Sequence, residues 1–222
     1  MDFRYHNEVS IPAGSVTVTG ELFIPETAKA IIVFSHGSGS SRFSKRNQEV
    51  AGYLHARNFG TLLFDLLTEE EDKYYYNRFN IYLLAKRLAG VTEWLKKYPA
   101  ANDCLIGYFG ASTGAASALQ AAAQLSDISA VVSRGGRPDL AMDYLESVEA
   151  PTLLIVGGLD TDVIELNKEA YRKLRCIKEL VIVEGATHLF EEEGKMDQVA
   201  ELASAWFKKY LQPVNVIANA AE

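Results

Sequence analysis

The sequence has few cysteines and no long apolar run. Cys104 and Cys176 are its only cysteines among 222 residues, and they form neither a CxxC pair nor a zinc-ligand spacing. We therefore expect no disulfide framework and no metal site, and both thiols stand in apolar stretches typical of inert core cysteines. The longest aliphatic or aromatic run, Ala30–Phe34, has five residues. Because about 20 are needed to cross a bilayer, no transmembrane helix is predicted.

The composition also excludes several classes of partner. Lys and Arg total 22 and Asp and Glu total 29, a net charge of −7, so an acidic surface should repel nucleic-acid phosphates. The first ten residues hold no apolar h-region, so no secretory signal is expected. Together with the unpaired cysteines, this favours a cytoplasmic protein. No heptad pattern decides between a monomer and a homodimer.

Short β-branched runs alternate with helical spacing, which predicts a mostly parallel sheet with helices on both faces. We expect one domain over residues 1–222, with a core of about 9–211 and a loosely held tail at 213–222. The predicted strands are a pair within 8–24 at an antiparallel edge, then 30–34, 61–67, 105–109, 128–133, 151–156 and 180–183. The predicted helices are 41–59, 84–95, the stretch after 113, 138–147, 164–174 and 199–211.

A G-x-S-x-G motif, Gly110–Gly114, follows the predicted strand 105–109 and precedes a helix. In that context the motif is typical of a nucleophile elbow, which would expose the hydroxyl of Ser112 at the end of the sheet. The alternative is a turn of small residues in which the serine only caps the helix.

A serine nucleophile needs a histidine base and an acid that orients it, in the chain order Ser, Asp or Glu, His. His188 is the only histidine after Ser112, and it follows the predicted strand 180–183. Asp160 and Asp162 follow the strand 151–156, and we favour Asp160 because it lies closer to the strand tip. The alternatives are a surface histidine and an aspartate that serves a turn.

Two backbone N–H groups are expected to hold the oxyanion. One belongs to Thr113, directly after the elbow serine, and the other to Ser38, with Gly39 next, in the loop after the strand 30–34. His36 in that loop precedes the elbow, so we expect it to be structural. The loop matches neither GxxxxGK[ST] nor GxGxxG, which argues against nucleotide binding. No metal or organic cofactor is needed.

The chain resembles the α/β-hydrolases, and specifically the dienelactone-hydrolase-like group. The resemblance runs from about Val9 to Leu211 and includes hydrolase domains that occur fused to phosphoribosyltransferases. It implies Ser112 as nucleophile, Asp160 as acid and His188 as base. It is carried by FSHGSGSSR (34–42), LLFDLLTEEE (62–71), GASTGAA (110–116), RGGRPDLA (134–141), PTLLIVGGLD (151–160) and GATHLFEE (185–192).

The departure from the family lies at the elbow, where dienelactone hydrolases proper have a cysteine and this chain has Ser112. A serine enzyme of this shape resembles a carboxylesterase acting on small esters. A dienelactone hydrolase or other lactonase, an acyltransferase and a non-catalytic binding protein of the same fold are the alternatives. Only 17 residues, 134–150, separate two predicted strands, so we expect no cap domain and a shallow pocket that favours short acyl groups.

Candidate substrate-binding residues follow predicted strands at the same edge of the sheet. Arg42, Arg134 and Arg137 could bind a carboxylate, or they could pair with local acids such as Asp139. Gly39, in the loop after the strand 30–34, is a further substrate-binding candidate, and Tyr76 could line the pocket mouth or pack the next helix.

Overall fold

A computed structural model describes residues 2–212, so the predicted tail at 213–222 lies outside the described residues. The described residues form one eight-stranded sheet in the order β1-β2-β4-β3-β5-β6-β7-β8. The strands are β1 (Phe3–Ala13), β2 (Val16–Pro25), β3 (Ala30–Ser35), β4 (Gly60–Phe64), β5 (Leu105–Ala111), β6 (Ile128–Arg134), β7 (Thr152–Gly157) and β8 (Lys178–Val183).

The opening strand pair forms the antiparallel edge of the sheet. β1 pairs antiparallel with β2, β2 pairs antiparallel with β4, and the other neighbours are parallel. The carboxyl ends of β3 to β8 therefore meet at one edge, where ligands bind in open α/β sheets. The predicted fold class, a mostly parallel sheet of about eight strands in an α/β-hydrolase arrangement, is confirmed.

Helices cover both faces of the sheet. They are α1 (Lys45–His55), α2 (Glu69–Asp72), α3 (Ile81–Leu95), α4 (Thr113–Ala122), α5 (Thr161–Lys173) and α6 (Lys195–Tyr210), with 3-10 segments at Tyr75–Phe79 and Pro138–Ser147. The apolar residues of α1 and α6 pack on one face. Those of α3 and α4 pack on the other, and the buried residues of α3 include the four whose spacing predicted a helix, Leu84, Leu88, Val91 and Leu95.

The predicted helices differ from the structure in their bounds, by up to four residues, and in the type of one segment. The helix predicted from 41 begins only at Lys45, because the Ser44 hydroxyl accepts the Asn47 N–H and caps the helix there. The segment Pro138–Ser147 is 3-10 helix broken at Ala141, where φ is −121°, and it packs against α4 and α5. This connection between β6 and β7 forms no separate cap domain.

Neither cysteine is fully buried, which corrects the expectation of core thiols. Cys104 and Cys176 are half-buried and pack against the edge of the core as free thiols. Burial, followed by the charge of Asp103, raises the pKa of Cys104 to about 11. A thiol with so high a pKa is a poor nucleophile at neutral pH.

Candidate active site

Ser112 occupies a strained turn between β5 and α4. Its φ of +51° and ψ of −121° lie outside the regions that residues with a Cβ normally adopt. The turn is tight because Gly114 lies against the end of β3, where an added Cβ would be 2.1 Å from the carbonyl oxygen of Ser35. The sequence context of the G-x-S-x-G motif therefore produces the sharp strand-to-helix turn that it predicted.

His188 and Asp160 meet at the same edge of the sheet. His188 Nδ1 is 2.6 Å from Asp160 Oδ2, although 28 residues separate them along the chain. Their loops lie close together because Gly157 has no Cβ; an added one would be 2.5 Å from the carbonyl oxygens of Ala186 and Thr187. Of the two aspartates predicted after β7, Asp160 makes this bond.

The Asp160 side chain is more sheltered from solvent than that of His188. The Asp160 side chain is 17% exposed and that of His188 is 37% exposed. A sheltered carboxylate can hold Nδ1 protonated and leave Nε2 available as a base.

Ser112 and His188 line one cavity of about 240 Å³. Within residues 2–212 no hydrogen bond joins the Ser112 hydroxyl to His188, a geometry common in enzymes without substrate. A larger depression, of about 580 Å³, lies near Ala30 at the opposite end of β3 and away from these side chains.

The loop after β3 lies against the elbow. An added Cβ at Gly37 would be 3.2 Å from both the Ala111 carbonyl oxygen and the Ser112 Cβ. The N–H of Ser38, the predicted second oxyanion donor, points to the Thr113 hydroxyl at 2.8 Å. The N–H of Thr113, the predicted first donor, opens α4 and so has no partner within that helix.

His36 holds two loops together, which agrees with the structural role expected for it. Its Nε2 accepts the N–H of Leu66 at 3.1 Å, and its Nδ1 lies 3.0 Å from the carbonyl oxygen of Gly37. Burial lowers the pKa of His36, despite the nearby charge of Asp65, so the ring is neutral near pH 7. The neutral ring ties the loop after β4 to the loop that carries Ser38.

The three predicted substrate-binding arginines have different surroundings. Arg42 pairs with Asp65 and, at 3.1 Å, with Glu8. Arg137 makes two bonds of 2.8 Å to Asp139, the local pairing that the sequence left open. Arg134, the third, is only 5% exposed and is the one of the three that lines the cavity of Ser112.

The other two candidates lie outside this cavity's lining. Tyr76 is 66% exposed, with its ring centroid 6.0 Å from that of Tyr74. Gly39 has a φ of +69°, the left-handed region that favours glycine.

The first turn of α1 also lines the cavity, which the sequence reasoning missed. Ser44, Arg46 and Asn47 all face it, and Leu189, next to His188, completes the wall. The position of α1 along the chain could have indicated this, because a helix that follows a central strand starts at the carboxyl edge of the sheet.

Residues 2–212 contain neither a membrane-spanning helix nor a cluster of metal-ligating side chains. No helix in this part of the chain combines the length and the apolar character needed to cross a membrane. The same residues contain no group of three or more His, Cys, Asp or Glu side chains placed to hold a metal ion.

The fold and this edge of the sheet define the chain as an α/β-hydrolase. The model of the dienelactone hydrolase family matches residues 18–215, and the chain belongs to this family. A dienelactone hydrolase from Anabaena variabilis is 51% identical with a TM-score of 0.91, and the alignment covers 94% of this chain and 99% of that one. An esterase from Pyrococcus furiosus shares the fold at 18% identity, with a TM-score of 0.78 and coverage of 94% and 92%.

Two Mycobacterium tuberculosis proteins that carry the provisional name phosphoribosyl transferase are 56% identical over 205 residues. The match covers 92% of this chain but 46% of each relative, so the chain spans about half the length of these curated relatives. The family match supports a hydrolase, and the esterase neighbours, which are below 25% identical, show the fold alone.

Proposed function

We propose that the chain is a serine hydrolase that cleaves small carboxylic esters through an acyl-enzyme. The observation that carries the proposal is the placement of Ser112, in a strained elbow, in one cavity with a histidine that is bonded to Asp160. This combination of nucleophile, base and orienting acid is what acyl transfer needs.

In the acylation step, His188 Nε2 removes the proton from the Ser112 hydroxyl as Oγ attacks the ester carbonyl carbon. Asp160 keeps the ring in the correct tautomer and stabilises the imidazolium that forms. The tetrahedral intermediate then collapses, the C–O bond to the alcohol breaks, and the imidazolium gives its proton to the leaving alcohol.

Deacylation repeats these steps with water as the nucleophile. His188 takes a proton from water, the hydroxide attacks the acyl carbon, and Ser112 Oγ leaves with the proton held by the ring. One ester and one water become one acid and one alcohol, and the enzyme is regenerated.

We assign stabilisation of the oxyanion to the backbone N–H groups of Thr113 and Ser38. Each such donor contributes about 2.7–4 kcal/mol to the transition state. The Thr113 N–H is supplied by the helix start, whereas the Ser38 N–H must be shared with, or released from, the Thr113 hydroxyl that it now contacts. In a three-centre hydrogen bond, the Ser38 N–H would donate to the Thr113 hydroxyl and to the oxyanion at once, so the loop would not have to move.

The proposed preference is for short acyl groups. The cavity of about 240 Å³ lies below the roughly 300–1,000 Å³ of pockets for drug-sized ligands. A lactone is the second candidate substrate, because it is a cyclic ester and the 51% identical solved relative is described as a dienelactone hydrolase.

We also propose a cytoplasmic location, a small-molecule ester as the partner, and a monomer or homodimer. The free thiols Cys104 and Cys176 support the first of these proposals, and the net charge of −7 argues against a nucleic-acid partner.

The test measures hydrolysis of 4-nitrophenyl esters of increasing acyl length by wild type and by Ser112→Ala. We expect fastest turnover with acetate or butyrate and a loss of at least about 10³-fold in the variant. Labelling of Ser112 by a fluorophosphonate separates this proposal from a non-catalytic binding protein. An unlabelled, inactive wild type that is correctly folded would refute it.

A further inference from the structure

The strand β8 ends the sheet, and one side of its backbone is unpaired. Its only strand neighbour among residues 2–212 is β7, and on that side the Val183 carbonyl accepts the Gly158 N–H at 2.8 Å. The N–H and C=O groups of successive strand residues point to opposite sides, so those of residues 178, 180 and 182 point away from β7. No other backbone group in the described part of the chain bonds to them.

The side chains of this edge are mostly apolar and only partly covered. Leu180 packs against the core on the face of α3 and α4, Val181 packs against the core on the face of α1 and α6, and both are only half-buried. Ile182 is 41% exposed. An apolar edge strand with unpaired backbone groups is a template for pairing with another strand.

The opposite edge of the sheet is built differently. β1 contains Pro12, which has no N–H to donate, and its exposed residues between 6 and 12 are otherwise polar. These features protect an edge strand from pairing. β8 has no proline and ends in four consecutive apolar residues, 180–183. Of the two edges, β8 is therefore the one suited to pairing.

Symmetry restricts how β8 can pair with a second copy of itself. An antiparallel pair of identical edge strands needs a two-fold axis perpendicular to the sheet, which keeps each face of the sheet on the same side. Side chains directly opposite each other in an antiparallel pair lie on the same face. Residues 178, 180 and 182, whose backbone groups are free, therefore meet even-numbered residues of the second copy.

Charge selects one register among those that symmetry allows. With the axis at Val181, Lys178 lies opposite Glu184 of the second copy, and Leu180 lies opposite Ile182. With the axis at Leu180, Lys178 would face the apolar Ile182, and with the axis at Ile182, Glu184 would face Leu180. Opposite charges and apolar pairs across strands stabilise a sheet, whereas the shifted registers mismatch them.

The two charged residues are available for this pairing. Lys178 contacts the Leu174 carbonyl oxygen, and its Nζ lies 4.8 Å from the Tyr171 ring centroid, but it meets no carboxylate within residues 2–212. Glu184 is exposed directly after the end of β8. Because the axis repeats every contact, the register with Val181 on the axis forms two Lys178–Glu184 ion pairs, one at each end of the interface.

We propose that β8 pairs antiparallel with β8 of a second copy of this chain, about a two-fold axis at Val181, so that the two sheets become one continuous sheet. The inference does not depend on the proposed ester hydrolysis, and it selects the homodimer over the monomer. No residue of β8 lines the cavity of Ser112, so the pairing does not use the candidate active site.

The first test measures mass by sedimentation equilibrium over a range of concentrations. Wild type should move from 24.5 kDa towards twice that mass. Lys178→Glu places like charges opposite each other at both ends of the interface and should raise the dimer Kd at least about tenfold. Adding Glu184→Lys to that variant restores opposite charges and should restore the wild-type Kd, which a folding defect would not do. Lys86→Glu, at an exposed site on α3, is the control and should leave the Kd unchanged.

The second test measures the register by disulfide crosslinking. Two Val181→Cys residues would face each other in a non-hydrogen-bonded pair, with Cα atoms about 4.5 Å apart, inside the disulfide range of about 4.4–6.8 Å. Mild oxidation should therefore crosslink Val181→Cys into a dimer. Glu179→Cys, which faces Val183 of the second copy, should remain uncrosslinked, as should wild type with its own two cysteines.

Two results would overturn the inference. One is a wild type that stays at 24.5 kDa at every concentration and a Val181→Cys variant that forms no crosslink. The other is a dimer whose Kd is insensitive to the exchange of charges at Lys178 and Glu184, since that dimer would use another surface. Neither result bears on ester hydrolysis, and an inactive Ser112 would leave this dimer in place.

Discussion

Replacement of Gly114 by alanine should damage both stability and activity. An added Cβ would lie 2.1 Å from the Ser35 carbonyl oxygen and 2.5 Å from that of His36. Since non-bonded carbon and oxygen atoms normally stay more than 3 Å apart, α4 and the end of β3 must separate by roughly 1 Å. Both opposing atoms belong to the backbone, so no side-chain rotation relieves the contact.

The expected cost follows from that geometry. An extra methyl group in a packed core costs about 1–3 kcal/mol, and a clash with hydrogen-bonded backbone belongs at the upper end. For a domain of this size, about 3 kcal/mol corresponds to a decrease in Tm of about 6–12 °C. Activity should fall further than stability alone explains, because the displaced segment leads into Gly37 and Ser38 beside Ser112.

Gly52→Ala is the matched control. It adds the same methyl group inside α1, where nothing lies within 4 Å of the new Cβ. The greater helix propensity of alanine should raise stability there by about 0.5–1 kcal/mol. Equilibrium urea unfolding, thermal unfolding and 4-nitrophenyl acetate turnover are measured for both variants. A Gly114→Ala protein as stable and active as Gly52→Ala would show that the close approach is not what shapes the elbow.

Three further predictions concern single side chains. Asp160→Asn should lower kcat about 10³–10⁴-fold with an unchanged fold, by stabilising the wrong His188 tautomer; a loss below tenfold would contradict the acid's role. Thr113→Val should leave the Ser38 N–H without its partner and lower stability by about 1–3 kcal/mol in urea unfolding, whereas Thr113→Ser should not. Burial by itself raises the pKa of Glu71, but the hydrogen bonds and charge of its partner Arg87 lower that pKa by more. The pKa of Glu71 therefore lies below its ordinary value. Glu71→Gln should therefore destabilise at pH 7, and its deficit should vanish as pH falls through that lowered pKa; a deficit constant down to pH 2 would refute this.

Much of the candidate site was predictable because it depends on position along the chain. Ser112, Asp160 and His188 each follow a different parallel strand, and parallel strands bring their carboxyl ends to one edge whatever lies between them. Buried strands read as continuous apolar runs, so β3 and β7 were identified from sequence alone.

The boundaries were less predictable because local hydrogen bonds set them. Ser44 caps α1 by accepting one N–H, so the helix begins at Lys45, four residues after the predicted start at 41. Hydrophobic spacing does not reveal that hydrogen bond. The break at Ala141 likewise depends on how the segment packs against α4 and α5.

The sequence by itself determined the alternation of strands and helices, the order of Ser112, Asp160 and His188 along it, and the edge of the sheet where these residues meet. Only the tertiary structure decided which arginine keeps an unpaired charge, since Asp65 and Glu8 reach Arg42 from distant segments while Arg134 has no carboxylate partner within residues 2–212. It also decided that Asn47 stands beside Arg134, across 87 residues of chain. The hydrophobic periodicity of a sequence indicates which side chains face the core. It does not indicate which side chain will pair with which, because that depends on the distant segments that the packed sheet brings together.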